Sequence, residues 1–184
     1  MRDYESSLVS LPEEGILPVP LNTVLPENIS ATLAPDLILA DDDVIQYRRD
    51  NEPVTLYYDK ILKNSKTERD SFFARLAKCN ILTVCKKPRG KVTPFFVEKK
   101  NGKLRLVLDC RMVNQMFRRP HRPDLGPSES FQRLDNPDSA PLYEAEADLK
   151  NCFYQCAMES WMCPFFAFDE WVGTDWCHKN NITC

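Results

Sequence analysis

Residues 92–109, VTPFFVEKKNGKLRLVLD, form two strand-like runs joined by Asn101-Gly102. Asn-Gly is the strongest short hairpin signal, because both residues accept a positive φ at the centre of a tight turn. In the second run Leu104, Leu106 and Leu108 fall on one face, and Lys103, Arg105, Val107 and Asp109 on the other. Lys99 and Lys100 sit across the turn, so the hairpin has an apolar underside and a cationic tip. Pro94 lacks a ladder donor and suits an edge position. Lysines alone would fit a surface hairpin protected against edge aggregation. An arginine alternating with buried leucines fits that reading less well.

The flanking sequence supplies fewer constraints. Six of the 14 prolines fall in residues 1–60, and 1–40 therefore read as an extended arm whose apolar clusters can patch an exposed sheet face. A short helix is expected over 41–50, with Asp41, Asp42 and Asp43 at its N-terminus. A second helix is expected from Thr67, with Thr67 and Asp70 as a capping pair and Phe72, Phe73, Leu76 and Cys79 on one face. Short strands follow at 81–85, about 142–148 and 164–168, with a turn or short helix through 149–157.

Composition fits an ordinary soluble domain, with 43% apolar and 28% charged residues in 184. No apolar run approaches the ~20 residues of a membrane span, and the N-terminus has no secretory h-region. An intracellular, reducing setting, cytoplasm or nucleus, is the expectation. The eight cysteines then read as thiols rather than a disulfide framework, and none forms a C-x-x-C pair. Cys177, His178 and Cys184 are the one candidate metal cluster, and buried or incidental thiols are the simpler account.

The net charge of −3 conceals a sharp partition. Residues 1–59 hold 3 Lys/Arg and 12 Asp/Glu, 86–122 hold 12 and 2, and 123–184 hold 3 and 11. A basic block of this density suits a polyanion, because each cation placed on a phosphate releases condensed counterions. It equally suits a solvated face paired with the acidic segments of the same chain.

Taken in order, the Pro-aromatic strand, the Lys-tipped hairpin with Arg105, "LDCRMVN", a linker, "ADLKNCFY" and "FFAF" resemble the fingers and first palm strand of a reverse transcriptase of the retroelement type. The resemblance covers roughly residues 65–168. It implies an α+β chain: a partial right-hand polymerase, fingers and incomplete palm, with an antiparallel hairpin and flanking helices. An acidic arm over 1–64 precedes it and a divergent tail over 169–184 follows.

The resemblance also implies roles. Asp148 opens the family's Asp-x-x-x-x-aromatic motif and matches its first magnesium ligand, with the Leu149 carbonyl as a second contact. Lys150, Asn151 and Cys152 would hold the incoming nucleotide, and Phe153 matches the aromatic gate that rejects a ribose 2′-hydroxyl. Lys99 or Lys100, with Arg105, would fold over the triphosphate. Arg111 and Asn114, in the element Asp109-x-Arg-x-x-Asn, would brace the fingers or the template. The chemistry needs two divalent ions held by carboxylates on rigid strands.

Two departures limit what is expected. Asn151 stands where the family has Asp, and no aromatic-x-Asp-Asp or "PQG"-like element occurs beyond Phe168. The chain is therefore expected to be a truncated front end of such an enzyme, with weak or absent Mg2+ binding and no polymerase activity. Template-primer RNA or DNA and dNTP are the implied ligands, and a protein partner completing the palm is a further expectation. A non-catalytic nucleic-acid-binding module using 86–122 and a protein-interaction domain are the alternatives.

Overall fold

A computed structural model describes residues 1–120, 148, 151–170 and 172–182. The chain divides into two compact units, Met1–Arg118 with Asn151–Cys184, and Arg119–Lys150. In the second unit the described residues are 119, 120 and 148. The strand expected over 142–148 lies almost wholly outside the described residues.

The first unit runs in order through β1 (Val19–Pro20), α1 (Leu21–Val24), α2 (Glu27–Ser30), α3 (Pro35–Ile38), α4 (Asp42–Asn51), α5 (Lys60–Asn64) and α6 (Lys66–Lys78). It continues with β2 (Thr93–Glu98), β3 (Leu104–Asp109), α7 (Arg111–Asn114), α8 (Cys152–Gln155), β4 (Cys156–Ala157) and α9 (Thr174–Lys179). β2 and β3 pair antiparallel from Thr93–Asp109 to Glu98–Leu104. β1 and β4 form a two-residue parallel pair.

The hairpin bridges two apolar clusters. Phe96 and Leu104 are fully buried against Tyr4, Val9, Leu62, Phe72, Phe73 and Leu76. Phe72 meets Phe96 edge-on at 5.7 Å, a geometry worth about 0.5–1.5 kcal/mol beyond the buried area. At the other end Leu108 packs on a cluster of Val92, Val113, Met116 and Phe165. Pro94 lies on the outer edge of β2, where its carbonyl accepts from Asp59 N at 2.9 Å.

Helices α4 and α6 form where the sequence predicts them. In α4, Asp42 and Asp43 occupy the first turn and Arg48 and Arg49 the last, both favourable to the helix dipole. The cap of α6 is Ser65, whose hydroxyl accepts from Glu68 N at 3.3 Å, and not Thr67. Ser65 and Glu68 have the S-x-x-E spacing that places a hydroxyl under the first free amides.

The expected strand at 81–85 is absent, because Asn80 ends α6 in the left-handed region (φ 56°). Asn80 N then donates to Ala77 O and Ile81 N to Leu76 O, a Schellman turn. Ile81 and Leu82 cover the first cluster instead of joining a ladder.

The expected strand at 164–168 is a 3-10 turn over Cys163–Phe166, followed by a single parallel bridge from Phe168 to Val92. Pro164 starts that turn, and its carbonyl accepts from Arg89 N and Gly90 N. A Cβ on Gly90 would stand 2.2 Å from Phe165 O, so this approach requires glycine.

The arm is more structured than its prolines suggest. Pro20 and Pro26 precede α1 and α2, and Pro35 is the first residue of α3. The first turn is where a helix needs no proline N–H, so the same residues that break helices here begin them. Residues 2–10 cross the hairpin as a strap: Arg2 N donates to Phe96 O at 3.2 Å and Ser10 N to Leu104 O at 2.8 Å.

The packing shows no break at 64/65 or 168/169. Tyr4 and Val9 share a cluster with Phe72, and Glu170 in the expected tail pairs with Arg69 of α6 at 3.0 Å. No helix among the described residues is long and apolar enough to cross a membrane.

Candidate functional site

The tip of the hairpin differs from a two-residue Asn-Gly turn. Lys99 N donates to Lys103 O at 2.8 Å and Gly102 N to Lys99 O at 2.9 Å, which leaves a three-residue loop over 100–102. Lys100 and Asn101 are the central residues, and only Gly102, at φ 75°, takes the left-handed conformation. This is the turn-plus-bulge solution for three-residue hairpin loops. Asn101 Oδ1 accepts from Lys103 N at 3.2 Å, and Lys100 is left exposed at the apex.

Lys99, Lys100 and Arg105 line one open depression of about 460 Å³ with Val97, Glu98 and Asn101. Glu98 is turned to Arg2, at 2.6 Å. Lys99 Nζ donates to Ser10 Oγ at 3.5 Å. Among the described residues, none of these three cations is ion-paired with a carboxylate. Such a group of uncompensated donors on an open surface can hold a phosphate or a run of phosphates.

The base of the same hairpin is committed internally. Asp109 is 4% exposed although it lies on the expected outer face with Arg105. Its carboxylate accepts from Arg111 Nε at 2.9 Å and Nη2 at 2.6 Å, from Arg111 N at 3.2 Å and from Tyr57 N at 2.8 Å. Arg111 holds the Asp109 carboxyl down to about 2, against the opposing effect of burial, and the amides of Tyr57 and Arg111 add to the lowering. The second Nη2 bond of Arg111 goes to Thr55 O at 2.9 Å. Asp109-x-Arg-x-x-Asn is thus a clasp that ties β3 to the chain before α5. Asn114 is exposed at the end of α7 and lies in the same short element.

The Asp-x-x-x-x-Phe motif is divided between the two units. Asp148 is exposed and belongs to the second, and Leu149 and Lys150 lie outside the described residues. Asn151 stands at φ 57° as the residue before α8, and Tyr154 N donates to its carbonyl at 2.9 Å. Asn tolerates the left-handed region better than most residues.

Cys152 is exposed and Phe153 is 95% exposed, so no wall of the first unit closes over the expected gate. The next residue turns inward: burial raises the Tyr154 hydroxyl, and the charge of Arg105 acts in the opposite direction. α8 therefore lies within electrostatic reach of the outer face of β3.

Among the described residues, no group of three His, Cys, Asp or Glu could hold a metal. Of the Cys177, His178 and Cys184 cluster, Cys177 is 1% exposed in the interior and Cys184 lies outside the described residues.

The basic block divides as the residues are followed. Lys91 pairs with Asp169, Arg111 with Asp109, and Arg118 with Asp41 at 3.3 Å. The Arg89 guanidinium lies 4.4 Å above the Phe165 ring. Phe96 is buried against Phe72, while the half-buried Phe95 and Phe117 make ring contacts with Tyr57 and Phe165.

Two groups escape sequence reasoning. Ser10 reaches the tip from 89 residues away. Glu170 accepts from Tyr58 Oη at 2.9 Å as well as pairing with Arg69, and burial, then this bond, pushes the Tyr58 hydroxyl up. Comparison of the chain with protein-family models, curated proteins and solved structures gives no match.

Proposed function

We propose that the chain is a reverse-transcriptase-like fingers module that holds polyphosphate or nucleic acid at its hairpin tip. The supporting observation is that Lys99, Lys100 and Arg105 line one depression with no described carboxylate partner. The ancestral reaction of such a module is RNA-templated DNA synthesis from dNTPs. An intracellular setting, cytoplasm or nucleus, accompanies the proposal, since both ligands are found there.

Fluorescence anisotropy with labelled single-stranded oligonucleotide across a salt series tests the reading. Binding should weaken with a log–log slope of about −2, from about 0.7 counterions released at each of three phosphate contacts. Replacing Lys99, Lys100 and Arg105 together by Ala should flatten the slope. Absence of binding at low salt would refute the proposal. Magnesium-dependent primer extension that is lost in Asp148→Asn would extend the reading to polymerase activity.

A protein-interaction role is favoured by a different observation, the internal pairing of Lys91, Arg111 and Arg118. It accounts for the base of the hairpin and leaves the tip unexplained.

A further inference from the structure

Ser10 is held at the hairpin tip by backbone geometry. Val9 forms a parallel bridge with Leu104, and Ser10 N donates to Leu104 O at 2.8 Å. This fixes the Ser10 hydroxyl where Lys99 Nζ reaches it at 3.5 Å, a long contact for an ammonium. A neutral hydroxyl is a weak partner for that charge; an anion on the same oxygen would be a strong one. Downstream, Glu13 and Glu14 are exposed at the third and fourth positions after Ser10.

We infer that Ser10 is a phosphorylation site whose phosphate closes on Lys99 and blocks the anion-binding tip. The phosphoryl donor is a nucleoside triphosphate, used by a protein kinase whose basic groove reads Glu13 and Glu14. The Ser10 Oγ–P bond forms as the bond to the nucleoside diphosphate leaving group breaks, and the hydroxyl proton passes to the kinase's base. Ser10 is half-buried, so the kinase must first draw its N–H away from Leu104.

A phosphoserine brings a charge of about −2 and three acceptor oxygens. Against Lys99, Lys100 and Arg105 it cancels most of the local positive charge and occupies the nearest donor. The regulatory consequence rests on the proposed function, whereas the pairing of Ser10 with Lys99 does not.

The test uses the full chain with phosphoserine incorporated at position 10. In a phosphorus NMR titration, the second ionisation of the phosphate should fall at lower pH than in the same protein carrying Lys99→Ala. Identical titrations overturn the pairing. Affinity for labelled oligothymidine at low salt should drop roughly tenfold or more relative to the unmodified chain. If the unmodified chain binds and the phosphoserine form binds equally, the inference fails and the proposed function stands. If the unmodified chain does not bind, the proposed function and the blocking role fail together, and the titration still decides the pairing. An acid-directed serine kinase should label the wild-type chain and not Ser10→Ala; equal labelling of both, or of neither, overturns the modification.

Discussion

The two ends of the β2–β3 hairpin carry the same kind of residue in opposite circumstances. At the base, Arg111 and Asp109 satisfy each other and tie in Thr55 and Tyr57, with the carboxylate almost fully buried. At the tip, Lys99, Lys100 and Arg105 lie on an open depression, and their one described polar contact of this kind is a long bond to Ser10. The base cation Arg111 is multiply bonded although its side chain is 59% exposed, and its removal leaves the buried Asp109 carboxylate unpaired. A charge available for a ligand is solvated and dispensable for folding. The sequence places both sets within one basic block, and only the three-dimensional pairing separates them.

The largest effect should come from breaking the base. Asp109→Ala leaves the Tyr57 amide without its acceptor and frees the exposed Arg111 guanidinium to water, and should cost about 2 kcal/mol in denaturant unfolding. A loss under 1 kcal/mol would mean that the clasp is not a folding element.

The same carboxylate gives the base a pH signature. Its folded value, about 2, is below the ordinary 3.8, so the folded state binds the proton less readily than the unfolded state. The stabilisation is therefore present above about pH 4 and is lost as the pH falls towards 2, amounting to about 2 kcal/mol over that window. Asp109→Asn should remove this part of the acid dependence. An unchanged acid limb in the variant would assign it to other carboxylates.

A smaller effect is expected where the tip depends on backbone alone. Gly102 has φ 75° and open space around the position of a Cβ, so Gly102→Ala meets no clash and only the left-handed penalty. About 1 kcal/mol should be lost on unfolding. Ligand binding should weaken more than stability does, because the loop sets where Lys99 and Lys100 stand. Loss of stability without loss of binding would show that the lysines act through charge alone.

The features legible in sequence are those set by neighbours along the chain. The hairpin follows from two-residue alternation around Asn101-Gly102, and α4 and α6 from acidic starts and the apolar face of Phe72, Phe73 and Leu76. The errors came from local signals with two physical meanings. Pro20, Pro26 and Pro35 stand at helix starts as well as excluding helix interiors, and Pro164 converts an apolar run into a 3-10 turn. For the candidate site, sequence names the cations because charge is a property of the residue. It does not reveal which are already paired, since Asp41, Asp169 and Ser10 reach the block from far along the chain. Nor does alternation explain the burial of Asp109, which comes from Arg111 and the segment at 55–57 closing over the outer face of β3.

The smallest effect on stability is also the sharpest test of the contrast. Lys100 is exposed at the apex with no carboxylate partner among the described residues, so Lys100→Ala should change unfolding free energy by less than about 0.5 kcal/mol. The same substitution should lower oligonucleotide affinity and reduce the salt slope by about 0.7, the share of one phosphate contact. Arg111→Ala should do the reverse, destabilising the fold while leaving the slope of the protein that remains folded unchanged. If Lys100→Ala lost stability and kept its slope, the tip would be a second structural end of the hairpin, and the basis for assigning a ligand there would be gone.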